Sequence, residues 1–339
     1  MKDGVCMVIG VEIGGTKQQI ALGNADGTLI KTVRGKVDVK DGNTGILHWL
    51  KDNLEVMISE QQLNNTQIDA IGVGFGGPLD SKTGMLLRSV QVSGWDNFNL
   101  KNWFENTFSI PTYIYNDSSA AGWGEYVLGS GKGTRQFFYT NIGSGIGGSL
   151  IINGELYDGQ GVGAGELGQS RIADWTAKEA GTDNRLEALC SGWAINNRLQ
   201  TLNYVPQDSL MIQLCYNDIS KLNCEILGKA VAENDDFAIR ELNRVAKGMS
   251  MALATILCLF QPERIAIGGG VSLIGKPLFD MIRKHTKERQ FISNEGRYDI
   301  VQCKLGEAIV LQGAVLLAAK ELEKGEDHES YGETKKTSV

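Results

Sequence analysis

Apolar residues along the chain fall into two kinds of run. Short, mostly continuous runs end in glycine: 6–13 leads into Gly14-Gly15, 70–75 into Gly76-Gly77, and 137–142 into Gly143-Ser144-Gly145-Ile146-Gly147-Gly148. Apolar stretches of that length, bounded by turn residues, predict buried strands. Elsewhere the apolar positions recur every three or four residues. Ile46, Leu47, Leu50, Leu54, Met57 and Ile58 predict a helix over 46–62. Asp117 or Ser118 can cap a helix running to about 128. The stretch 226–259 predicts one or two long helices, stopped by Pro262. A strand at 264–267, a Gly268-Gly269-Gly270 loop and a helix from Pro277 to about 287 come next, and 307–321 predicts a last helix. Strands and helices alternate in both halves, which is α/β architecture.

The second and third glycine runs both match Gly-x-Gly-x-x-Gly. That fingerprint holds a dinucleotide only where the glycine turn opens a helix, whose first amides receive the pyrophosphate. Here Gly77 is followed by Pro78 and further turn residues, and Gly148 by a strand ending at the hairpin signal Asn153-Gly154. The first run also continues into a strand, which ends at Asp26-Gly27. A nicotinamide dehydrogenase is therefore disfavoured. Strand–glycine turn–strand hairpins can still hold phosphate, because glycine lets backbone N–H groups approach an anion closely. Two such hairpins, beginning near residues 6 and 137, suggest a duplicated plan with one phosphate loop per domain.

Composition narrows the class. A chain of 339 residues suggests two domains, and 42% hydrophobic with 22% charged residues is ordinary for a globular protein. The net charge of −7 argues against a nucleic-acid partner, which requires clustered Lys and Arg. Six scattered cysteines without a Cys-x-x-Cys pair fit reduced thiols in a cytoplasm. With three histidines, chemistry built on a histidine cluster is disfavoured. The longest apolar stretch, 249–260, is shorter than the roughly 20 residues a membrane span requires, so neither membrane nor export is expected. The charged end, 324–339, reads as a solvated tail.

Several short motifs then occur in a fixed order: Val8-Ile-Gly-Val-Glu-Ile-Gly-Gly-Thr-Lys17, Tyr115-Asn-Asp-Ser-Ser-Ala-Ala-Gly-Trp-Gly-Glu125, Asn141-Ile-Gly-Ser-Gly-Ile-Gly-Gly148, Gly165-Glu-Leu-Gly168 and Ile265-Ala-Ile-Gly-Gly-Gly270. Together they resemble the ROK family (repressors, open reading frames, kinases) of sugar kinases, from about residue 5 to about 322. The resemblance implies an actin-like ATPase (ribonuclease H-like) fold, with two α/β domains flanking a cleft where ATP and a hexose meet. It puts 1–117 and the C-terminal helix 307–323 in the smaller domain, and 118–306 in the larger. It also implies a homodimer.

Carried over position by position, the resemblance gives Gly14, Gly15, Thr16 and Lys17 to the ATP phosphates. Ser144 and Gly145 fall on the second phosphate hairpin, and Gly268, Gly269 and Gly270 on the loop near the adenosine. Glu12 stands where the family usually has Asp, helping to position Mg²⁺ through water; it is one methylene longer and keeps the charge. Asp117 falls on the catalytic base. A neutral sugar hydroxyl needs a carboxylate to take its proton as it attacks phosphorus. Glu166 and Glu187 fall on the sugar-hydroxyl acceptors, with Asn116 and Gly77 beside them; carboxylates accept paired hydrogen bonds from vicinal hydroxyls.

The departures lie on the sugar side. Gln91 replaces a frequent Asn, Gln169 replaces the His of Glu-x-Gly-His, and Gly76-Gly77-Pro78 departs from Pro-Gly. That His is also a zinc ligand in many members, together with three Cys whose positions here are Lys178, Ala180 and Arg185. Such a set cannot rebuild a soft nitrogen–sulfur site, so no structural zinc is expected. The reading is an ATP- and Mg²⁺-dependent hexose kinase acting on a sugar hydroxyl, first of all O6 of glucose. A kinase of fructose, mannose, allose or an N-acetylhexosamine, and a ROK-type sugar binder without catalysis, are the alternatives. A repressor is disfavoured: the first phosphate strand begins by about residue 5, and the chain is acidic.

Overall fold

The computed structural model of the chain describes residues 6–89 and 92–334, with 325–334 given by their backbone alone. In chain order the elements begin with β1 (Met7–Ile13), β2 (Lys17–Asn24), β3 (Leu29–Lys36), α1 (Gly42–Glu60) and β4 (Ala70–Phe75). The short pair β5 (Leu79–Asp80) and β6 (Met85–Leu86) precedes α2 (Leu100–Phe108), β7 (Thr112–Asn116) and α3 (Asp117–Leu128). Then come β8 (Phe137–Asn141), β9 (Gly148–Ile152), β10 (Glu155–Tyr157), β11 (Arg171–Ala173) and β12 (Asp183–Arg185). Helices α4 (Leu186–Cys190), α5 (Gly192–Leu199), α6 (Leu210–Leu214), α7 (Cys224–Ala232) and α8 (Asp236–Phe260) lead to β13 (Arg264–Gly268). The remaining elements are α9 (Lys276–Arg289), β14 (Asp299–Gln302) and α10 (Ile309–Thr334).

The chain divides into two compact units, one holding the chain up to Gly129, Leu156–Ala164 and everything from Leu305, the other Ser130–Glu155 and Gly165–Lys304. Two five-stranded sheets of the same plan run through the chain. The orders are β3-β2-β1-β4-β7 and β10-β9-β8-β13-β14. In both, the first strand pairs antiparallel with the second and parallel with the fourth. The duplication suggested by the two glycine hairpins is thus a duplication of sheet topology. Domain boundaries were expected at 117 and 306, whereas the first unit runs to Gly129, takes in Leu156–Ala164 as well and resumes at Leu305. The helix α3 accounts for most of the difference, because it packs along α10 in the first unit.

In the first unit, β4 is buried throughout and β1 from Val8 onward, which is why their sequences read as continuous apolar runs. At the edge, β3 alternates between half-buried and exposed positions. One face of the sheet packs Ile9, Val11 and Val73 with Leu50 and Leu54 of α1 and Phe104 of α2. The other lies under α10. There the backbones meet: a Cβ at Gly313 would stand 1.7 Å from the Ala120 carbonyl oxygen of α3, so no larger residue fits that crossing.

The second unit is built around α8, whose Leu242, Val245, Met249 and Leu253 join Phe138, Ile265 and Ile267 of the sheet in one core. By length and composition alone α8 could cross a membrane, but most of its apolar window is buried within the fold. The interrupted stretch 226–259 resolves into two helices, because Asn234 takes a left-handed φ of 62° and Asp235 caps α8 by accepting the Ala238 N–H at 2.7 Å. Two other helix ends differ from expectation. The N-cap of α3 is neither Asp117 nor Ser118 but Asn116, whose Oδ1 accepts the N–H groups of Ser118 and Ser119. The last helix continues to Thr334 where a solvated tail was expected from 324; the exposure of 325–334, and residues 335–339 altogether, lie outside the described residues.

Candidate active site

Three parallel strands of the first unit end side by side, at Ile13, Phe75 and Asn116. Ligands of open α/β sheets gather at such carboxyl ends. The chain turns there through Gly14-Gly15-Thr16, closed by the Gly14 N–H to the Lys17 carbonyl at 3.0 Å, and the Gly76 N–H donates to the Ile13 carbonyl at 2.9 Å. Asp117, the first residue of α3, stands directly over this corner. A methyl group added at Gly76 would lie 3.3 Å from Asp117 Oδ2 and 3.7 Å from the Gly14 Cα. Asn116 fixes the corner by capping α3 with its Oδ1 and donating its Nδ2 to the Gly77 carbonyl at 3.3 Å. Both ends of its amide are therefore engaged with backbone. Phe75, Ser89 and Trp95 line a small pocket beside Gly14 and Gly76. None of the three was singled out from sequence. Gln91 lies outside the described residues.

Glu12 points from β1 and is buried. Its Oε1 lies 3.1 Å from Lys17 Nζ, and its Oε2 accepts Gln19 Nε2 at 2.6 Å. Gln19, an amide in a buried strand, is a sequence signal for a buried polar partner that the reading did not use. Among the described residues no cluster of three or more His, Cys, Asp or Glu could hold a metal by itself. A single carboxylate nevertheless fits magnesium, which keeps several waters and takes other ligands from phosphate. Because both oxygens already have protein donors, Glu12 suits a hold through water better than direct ligation.

In the second unit the turn between β8 and β9 is the counterpart hairpin. It is closed by the Gly143 N–H to the Gly145 carbonyl at 2.9 Å and by Asn141, whose Oδ1 accepts the Gly147 N–H at 2.6 Å. Ser144 at its tip is exposed. The Gly268–Gly270 loop is tied to the same turn: the Ile142 N–H donates to Gly268, and the Val271 N–H returns to Ile142, both at 2.9 Å. The start of α5 adds the Gly192 N–H to the Gly143 carbonyl at 2.7 Å. The Ser144-Gly145 turn and the Gly268–Gly270 loop, over a hundred residues apart in sequence, are thus held together by backbone hydrogen bonds.

Glu187, in the first turn of α4, leans on this hairpin, its Oε2 accepting the Ile146 N–H at 2.9 Å. Glu166 opens the short helical turn Leu167–Gln169. Although solvent reaches the residue, surrounding chain strips water from its carboxyl and, with the Glu187 charge close by, holds its pKa above the ordinary carboxylate value. Gln169 Oε1 accepts Arg185 Nη1 at 3.2 Å, and Arg171 pairs with Asp183 across β11 and β12. Polar pairs thus occupy the segment in which the family pattern has zinc ligands.

A family model described as the ROK family matches residues 8–321. The chain belongs to the ROK family. Its two units have the actin-like ATPase fold of that family. Among ROK relatives, a glucokinase of Thermotoga maritima is 29% identical, covering 91% of this chain and 95% of its own. A xylose repressor of Caldicellulosiruptor bescii is 23% identical, over 93% of this chain and 78% of the repressor. A ROK glucokinase of Streptomyces griseus, solved with glucose and AMPPNP, is 26% identical with a TM-score of 0.77, covering 93% of this chain and 99% of that one. Unlike a zinc-bearing ROK protein, this one is expected to keep its melting temperature when zinc is chelated. A drop reversed by zinc alone, measured by differential scanning fluorimetry, would refute that.

Proposed function

We propose that the protein is an ATP-dependent hexose kinase, transferring the γ-phosphate of MgATP to a sugar hydroxyl, with O6 of glucose the first candidate. The observation that carries the reading is the Asp117 carboxylate at the glycine corner where β1, β4 and β7 end. Asp117 takes the hydroxyl proton as the oxygen attacks phosphorus, and Asn116 holds it there through the helix cap. Phosphate binding is assigned to Gly14, Gly15, Thr16 and Lys17 and to Ser144 and Gly145, through backbone N–H groups, hydroxyls and an ammonium. Gly268–Gly270 take the adenosine. Glu12 would hold magnesium through water, and the ion would there supply positive charge to the phosphates. Glu166 and Glu187 accept sugar hydroxyls, with Gln169, Gln91 and Gly77 completing the sugar set. We also assign a cytoplasmic location, with all six thiols free of disulfides, and a homodimer.

The carboxyl of Glu166 is a weaker acid than usual, so on acidification it loses its charge before an ordinary glutamate does. Sugar affinity, followed by calorimetry from neutral to acid pH, is expected to weaken from a correspondingly higher pH. Glu187→Gln should move that fall to lower pH, because one of the two causes is removed. The reading itself is tested by ADP release with MgATP and a panel of glucose, mannose, fructose, allose, N-acetylglucosamine and N-acetylmannosamine. Sugar-dependent release supports the kinase and names its substrate class. Melting-temperature shifts with a sugar, but no release with any of them, would instead support a sugar binder without catalysis.

A further inference from the structure

Glu187 faces two ways. Its Oε2 accepts the Ile146 N–H inside the β8–β9 hairpin at 2.9 Å, and a Cβ at Gly145 would come within 2.6 Å of the same oxygen. Only glycine at 145 permits that approach. The turn that follows Glu166 also packs against the hairpin, since a Cβ at Gly168 would lie 2.1 Å from the Ile146 carbonyl oxygen. The charge of Glu187 is also close enough to Glu166 to help raise its pKa. One carboxylate therefore stands both at the glycine hairpin and beside the second acidic residue of the sugar set.

A hairpin of backbone N–H groups attracts an anion. A carboxylate hydrogen-bonded to one of those amides takes that donor out of use, and its charge repels an incoming phosphate. We propose that Glu187 couples the two substrates: while no sugar is bound its charge opposes phosphate at the hairpin, and sugar hydroxyls donating to it relieve that opposition. The inference rests on the kinase reading above. Hydroxyl donors spread the carboxylate charge without removing it, so the sign of the coupling is positive. Sugar tightens nucleotide binding, and by linkage the nucleotide tightens sugar binding by the same factor.

The test is calorimetric titration of Mg·AMP-PNP, which binds without turnover, into the wild-type protein and into Glu187→Gln. Each is measured without sugar and with each sugar of the panel at saturation. In the wild type, the sugar that supports turnover is expected to tighten Mg·AMP-PNP by about tenfold, within the usual range of coupling between sites. Without sugar, Glu187→Gln is expected to bind Mg·AMP-PNP more tightly than the wild type by a similar factor, and to lose most of the sugar effect. A merely structural role has the opposite sign: weakening the hairpin's support would loosen nucleotide binding in the variant. Looser or unchanged binding in Glu187→Gln would overturn the proposal and leave the kinase reading intact. So would a wild-type affinity that no sugar alters, a result that does not depend on the variant folding. Absence of Mg·AMP-PNP binding to the wild type under every condition would overturn both.

Discussion

Asp117→Asn is expected to lower kcat by about 10²–10⁴-fold, the usual range for general-base assistance, while sugar affinity stays near that of the wild type. The asparagine keeps the shape of the side chain and an acceptor oxygen, but its amide cannot take up a proton at neutral pH. Asn116 caps α3 independently of the substituted group, through the Ser118 and Ser119 N–H groups, so the helix start and the glycine corner should persist. Loss of kcat with KM unchanged would mark an interaction made only in the transition state. Calorimetry with the sugar and steady-state kinetics on the same preparation separate the two effects. Turnover within tenfold of wild type would remove Asp117 from the role of base.

The largest expected effect on stability lies in the second unit. Glu241, fully buried on α8, accepts Arg198 Nε at 2.7 Å on Oε1 and the Tyr204 hydroxyl at 2.7 Å on Oε2. The same guanidinium donates Nη1 to the Leu189 carbonyl of α4 at 3.0 Å, and lies 5.9 Å from the centre of the Trp175 ring. Glu241→Ala strands a nearly buried guanidinium, a change that typically costs about 3–5 kcal/mol. In a unit of this size that corresponds to a melting-temperature drop of about 10 °C. Replacing both partners, as Arg198→Met with Glu241→Leu, should be milder than Glu241→Ala alone, because the one charge left without Glu241, Arg244, is half exposed and stays hydrated. A melting temperature unchanged in Glu241→Ala would contradict this account of α4, the helix that carries Glu187.

Local rules made much of this fold readable. The glycine hairpins were legible because a buried parallel strand has to be apolar on both faces, and a turn that continues as a strand excludes the dinucleotide geometry. The helix α1 was legible from its apolar spacing, but its start at Gly42 was not. Asp41 makes no side-chain cap there, so nothing in the local sequence marks the boundary. The split between α7 and α8 hinged on a left-handed Asn234, a conformation that asparagine tolerates without requiring it.

The sequence offered candidate residue types for the site, but not the contacts they make. Glu12 and Lys17 were expected at a metal and at phosphate respectively; in the structure they also hold each other, with Gln19 completing the set. Glu187 was expected as a carboxylate for a polyol; its bond to Ile146 spans 41 residues and has no sequence signature. The Arg198–Glu241 pair, 43 residues apart, was invisible for the same reason. Propensities and spacings describe neighbours in sequence, whereas these contacts arise only once the helices have packed.

The central claim, phosphoryl transfer to a sugar, is tested most directly by following ³¹P signals of MgATP with the protein and one panel sugar at a time. The account predicts that, with one of those sugars, a phosphomonoester signal grows in step with ADP and stays absent in Asp117→Asn. Nucleotide consumed with only inorganic phosphate appearing, or no change with any sugar of the panel, would contradict it.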